Sequence, residues 1–118
     1  MTKLFKIAVT ALLLAIPASV AAHTALRSSD PASGSVLTQS PPALTLTFLE
    51  EASLTSLTLV NTDGERNLPF TPSGSALTFE ALKPEFIRGR NEVRWRALSR
   101  DGHVIAGSII LVMRAPKP

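Results

Sequence analysis

Leu44-Thr45-Leu46-Thr47-Phe48 alternates apolar and polar residues without a break. Successive side chains of an extended chain point to opposite faces, so this stretch offers one dry face and one wet face. Threonine is β-branched and adds to the preference for strand. The pattern recurs outward along the chain. Leu57 and Leu59 flank Thr58, and Leu77 and Phe79 flank Thr78. Val93, Trp95 and Ala97 alternate with Glu92, Arg94 and Arg96, and Ile109 to Met113 is almost continuously apolar.

Turn signals separate these runs. Asp30-Pro31, Ser33-Gly34, Pro41-Pro42 and Pro72-Ser73-Gly74 each punctuate the chain. Asp63-Gly64 predicts a hairpin between Leu57–Val60 and the Leu68–Phe70 region. No segment after the N-terminal run keeps a helical period, and Glu80 to Ile87 has room for one irregular turn at most. Short strands with frequent turns predict an all-β fold, a small antiparallel sandwich or barrel. Pro116-Lys117-Pro118 reads as a frayed tail.

The N-terminus has the three-part form of a signal peptide. Lys3 and Lys6 are its positive region, Ile7 to Ile16 its uncharged apolar run, and Ala18-Ser19-Val20-Ala21-Ala22 its small-residue cleavage region. The apolar run is shorter than the ~20 residues a membrane-spanning helix needs. The expected division is a signal peptide over 1–22 and one exported domain over 23–118, with no membrane span in the mature chain. Cutting after Ala21 instead would leave Ala22 as the first residue.

Composition narrows the chemistry. The chain has no cysteine, so disulfides, thiolate metal sites and cysteine lipidation are excluded. Its net charge is +3, and two of the positive charges belong to Lys3 and Lys6 in the leader. The arginines group between Arg88 and Arg100, but Glu92, Arg94 and Arg96 alternate with Val93, Trp95 and Ala97 as one wet strand face does, so nucleic acid is not an expected partner.

Two histidines remain as candidate ligands, His23 and His103. If the leader is cut after Ala22, His23 presents its α-amine and its imidazole together. These groups ordinarily titrate near about 8 and about 6.5, so a strong Lewis acid displaces their protons readily. His103 stands in Asp101-Gly102-His103. Residues two apart in an extended segment share a side, and Gly102 lets the backbone bend. Amine, two imidazoles and a carboxylate suit tetragonal Cu(II), which heads the general affinity order for such ligands. Zinc is the runner-up metal, and two unrelated surface histidines are the plain alternative.

Three stretches carry a family resemblance. They are His23-Thr24-Ala25-Leu26 with Ser28 to Leu37, then Pro42 to Glu50, then Trp95-Arg96-Ala97-Leu98-Ser99-Arg100-Asp101-Gly102-His103 with Gly107 following. This pattern resembles the CopC family of periplasmic copper-resistance proteins, and the third stretch is the most specific match. The resemblance implies a seven-stranded Greek-key β-barrel or sandwich, immunoglobulin-like in outline. It implies a Cu(II) site formed by His23, Asp101 and His103, with Glu50 near the copper. It also implies a periplasmic location and a CopD-type copper transporter of the inner membrane as partner. Ser99 and Gly102 match motif positions without being expected ligands, and Trp95 is expected in the core.

Two departures stand out. Some members of the family hold Cu(I) in a methionine-rich loop, whereas this chain has Met113 alone beyond Met1. Asn91 stands where many relatives have an aromatic residue, a change expected to affect packing only. The resulting expectation is a monomeric Cu(II)-binding protein, not an enzyme, that sequesters copper, confers resistance or delivers the ion to a membrane transporter. The alternative is a copper-dependent oxidative enzyme with an N-terminal histidine site. A third reading, an adhesion or assembly module, makes both histidines incidental.

Overall fold

The alternation around Leu44 opens a strand that is far longer than the motif itself. The computed structural model describes residues 25–116. In chain order the strands are β1 (Leu26–Asp30), β2 (Val36–Leu37), β3 (Ala43–Asn61), β4 (Gly64–Asn67), β5 (Ser75–Leu82), β6 (Gly89–Ser99) and β7 (Val104–Met113). They form an all-β fold in which β3 belongs to both halves of one curled sheet. Its first half pairs with β1 and β5, and its second half with β4 and β6. β6 then pairs with β7 along its whole length.

The burial pattern explains how one strand serves two layers. Leu44, Leu46 and Phe48 are buried, and so are Leu57 and Leu59, but the parity changes from even to odd between them. The extra residue is Thr55. Leu54 faces Ala97 across the pair and Ser56 faces Arg96, so Thr55 has no opposite number. Such a bulge resets which side faces inward and sharpens the twist. The Thr55 hydroxyl donates to the Arg96 carbonyl at 3.0 Å, tying the bulge to its neighbour.

Both halves of the sheet share one core. Phe48, from the first half, meets Phe79 edge-on at 5.9 Å and Trp95, from the second half, at 5.2 Å. Val93, Ala97, Ile109 and Leu111 complete the inner face. Burying each large apolar side chain contributes roughly 1.5–3 kcal/mol, which a domain without disulfides depends on.

The structure departs from expectation in three places. The Asp63-Gly64 hairpin is present, but its return strand is β4, ending at Asn67; Leu68 follows it and folds into the core. β2 runs parallel to β7, because the backbone N–H of Gly34 and the hydroxyl of Ser33 dock the incoming chain onto Ile110. Asn91 is fully buried and acts as a hydrogen-bond hub, not a packing substitute. Its Nδ2 donates to the carbonyls of Ile87 at 2.8 Å and Gly89 at 3.2 Å. Its Oδ1 accepts from the Ile87 N–H at 3.0 Å and from Asn61 at 3.1 Å. An amide has two donors and an acceptor oxygen with two lone pairs, so every site is used. Among the described residues no helix is long and apolar enough to cross a membrane.

Candidate metal centre

Between β6 and β7 the backbone pair Ser99–His103 closes a three-residue loop, Arg100-Asp101-Gly102, with Leu98 facing Val104 below it. The Ser99 N–H donates to the His103 carbonyl at 2.8 Å, and the Gly102 N–H donates to the Ser99 carbonyl at 3.0 Å. Gly102 has φ +90°, a left-handed conformation that glycine takes without a Cβ penalty. This is the three-residue hairpin loop that ends in a left-handed glycine. The turn therefore brings Asp101 and His103 together, where alternation along an extended segment was the expected cause.

Asp101 Oδ2 lies 2.9 Å from His103 Nδ1. The hydroxyl of Ser99 donates to the other carboxylate oxygen, Oδ1. It also accepts the backbone N–H of His103 at 3.1 Å. The Ser99 hydrogen bond, and after it the His103 ring, hold the Asp101 carboxyl below its ordinary range. Both side chains are open to solvent, 69% exposed for Asp101 and 78% for His103. Adjacent ligands at ~2.0 Å on one metal stand about 2.8 Å apart, so Oδ2 and Nδ1 at 2.9 Å are spaced to share an ion once the proton between them is displaced.

Among the described residues no three His, Cys, Asp or Glu side chains gather into a metal cluster. His23 lies outside the described residues. Ala25, the first of them, lines a groove of about 300 Å³ together with Glu50, Glu51 and Ser99. The registers explain that neighbourhood: Leu26 faces Phe48 on β3, and Ala52 faces Ser99 on β6. The chain thus enters the domain beside the strand end that carries Asp101 and His103. Glu50 is exposed in that groove, on the same end of the fold.

Ser99 matches the motif without being an expected ligand, yet its hydroxyl bonds to both Asp101 and His103. Its position two residues before Asp101 was the available signal. Trp95 is core as expected, 3% exposed.

A second concavity, of about 520 Å³, lies over the outer face of β6. Arg94 and Arg96 border it, but so do Glu65 and Glu92. Glu92 sits 3.3 Å from Arg94 and 3.6 Å from Arg90. Mixed charge and the lack of a histidine make it a solvated strand face, in keeping with the alternation.

The CopC domain family matches residues 26–112. The fold resembles the crystal structure of CopC from Methylosinus trichosporium OB3b with a TM-score of 0.66 at 20% identity, over 81% of this chain and 98% of that one. It also resembles PcoC, a methionine-rich copper resistance protein from Escherichia coli, with a TM-score of 0.55 at 25% identity, over 76% of this chain and 97% of that one. No curated protein matches the chain.

Proposed function

Because this chain belongs to the CopC family, we propose that it is a periplasmic copper-resistance protein that binds Cu(II) through His23, Asp101 and His103. The first 22 residues act as a signal peptide, and cleavage after Ala22 makes His23 the first residue of the mature domain. Its amine and ring then join the Asp101 carboxylate and the His103 ring. Copper is cargo here, taken up and passed on without chemical turnover. The ion is sequestered or handed to a CopD-type transporter of the inner membrane, and the protein works as a monomer.

The observation that carries this reading is the hairpin of Asp101 and His103, with carboxylate and ring nitrogen 2.9 Å apart and both open to solvent. The groove shared by Ala25 and Ser99 supports His23 as the completing ligand, since Ala25 is two residues from it. Three nitrogens and one oxygen fit a tetragonal Cu(II) centre. The same set fills the equatorial plane, which favours holding the ion over oxidative catalysis. PcoC is described as methionine-rich, whereas this chain has two methionines, Met1 and Met113. A soft thioether site for Cu(I) is therefore not part of the proposal.

The test combines mass spectrometry of the exported N-terminus with Cu(II) titration followed by electron paramagnetic resonance. One tight Cu(II) per chain beginning at His23, with nitrogen hyperfine coupling, is the expected result. A mature chain beginning elsewhere, or a copper spectrum without nitrogen ligation, sinks the proposal.

A further inference from the structure

We propose that Ser99 is the positioning residue of the Asp101–His103 pair, its hydroxyl holding the carboxylate in the orientation that faces the imidazole and so raising affinity for Cu(II). The inference rests on Asp101 and His103 being the ligands.

Ser99 is the anchored member of the hairpin. Its backbone pairs with Ala52 on β3, donates to the His103 carbonyl and accepts from the Gly102 N–H. Its Oγ therefore projects from a fixed frame, whereas Asp101 and His103 stand in solvent. The direction of each hydrogen bond follows from the partners. The His103 N–H can only donate, so Ser99 Oγ accepts it at 3.1 Å. An ionised carboxylate can only accept, so the single hydroxyl proton goes to Asp101 Oδ1.

The carboxylate is thus gripped at both ends, by Ser99 at Oδ1 and by the His103 ring at Oδ2. Each oxygen keeps a lone pair, because an ionised carboxylate accepts at about four positions. An aspartate this exposed would otherwise rotate freely, and a metal would have to immobilise it on binding. With the orientation already set, that ordering cost is removed from the binding step. Among the described residues Ser99 Oγ is the one group bonded to Oδ1, so that end of the carboxylate is held by a single hydroxyl.

The test compares Cu(II) affinity, by competition titration of the exported protein, for wild type, Ser99→Ala, Ser99→Thr, Asp101→Asn and the double variant Ser99→Ala/Asp101→Asn. Metal-free thermal unfolding of each checks the fold. Loss of an outer-shell partner typically weakens metal binding by roughly 10- to 100-fold, the expected effect of Ser99→Ala. Ser99→Thr restores the hydroxyl and the affinity. The double variant binds no more weakly than Asp101→Asn alone, because Ser99 acts through that carboxylate. Should Ser99→Ala fold poorly, Ser99→Val against the isosteric Ser99→Thr repeats the comparison with good strand formers. Wild-type affinity in Ser99→Ala, or losses that multiply in the double variant, overturns the inference while leaving the ligands in place. Wild-type affinity in Asp101→Asn overturns the ligand reading itself, and the inference with it.

Discussion

The indole of Trp95 lies against the backbone of Gly107. The two residues face each other across β6 and β7, and a Cβ on Gly107 would stand 2.7 Å from Cζ2 of the ring. Glycine is required there for space, since its φ is not in the left-handed region. The spacing from Trp95 through the Asp-Gly-His turn to Gly107 thus has a mechanical meaning. The hairpin folds back so that the ring and the missing side chain coincide, and the turn is held by the core beneath it.

Gly107→Ala should therefore destabilise the domain. Overpacking a filled core typically costs about 1–3 kcal/mol. Urea unfolding followed by fluorescence measures this directly, because Trp95 is the chain's only tryptophan and there is no tyrosine. Unchanged stability would mean that the ring and the strand part without cost.

Asn91→Ala removes the partner of the half-buried Ile87 N–H and of the carbonyls of Ile87 and Gly89. Leaving a buried polar group unsatisfied costs about 1–3 kcal/mol. The expected loss is in that range or above it. Hydrogen exchange at Ile87 should quicken before global unfolding, because the hub pins this segment to β6.

Asp101 should titrate below its ordinary value of 3.8 in the metal-free protein, chiefly through the Ser99 hydroxyl and then His103. A carboxyl whose folded pKa is depressed contributes stability above its unfolded pKa and loses it as pH falls through the folded one. The contribution is present at neutral pH and disappears below the carboxylate range. Carboxyl carbon shifts followed by NMR give the midpoint. Ser99→Ala should raise it.

His103→Ala should lower Cu(II) affinity by more than the roughly 10- to 100-fold expected for loss of an outer partner. A mature chain beginning at Ala22 should be weakened as well, because an amide then replaces the amine beside the ring of His23. Isothermal titration of both forms against the chain beginning at His23 checks the two effects separately. Equal affinity in all three would make the histidines incidental.

The strands were legible because alternation is a local property. Leu44, Leu46, Phe48, Val93, Trp95 and Ala97 declare their inward side from their immediate neighbours, and all six are buried. The family was legible for a related reason, since the Asp101-Gly102-His103 turn and its flanking Trp95 and Gly107 form one short continuous stretch. Asp101 and His103 were legible as a pair, although the turn at Gly102 unites them and not strand alternation.

Other features depend on what stands opposite. Thr55 looks like any strand threonine until the register with Arg96 leaves it unpaired. Asn91 looks like a polar intrusion until Asn61 and the Ile87–Gly89 segment surround its amide. Ser99 looks like a filler residue until its hydroxyl meets Asp101 Oδ1. Sequence alone determined which faces are wet and dry and that Asp101 and His103 stand together, because those follow from residue type and spacing along one strand or turn. Tertiary structure alone decided that β3 crosses between two layers, that Gly107 must yield space to Trp95 and that Ser99 grips the carboxylate. Each of these is a contact that exists only once the strand registers and the turn geometry are set.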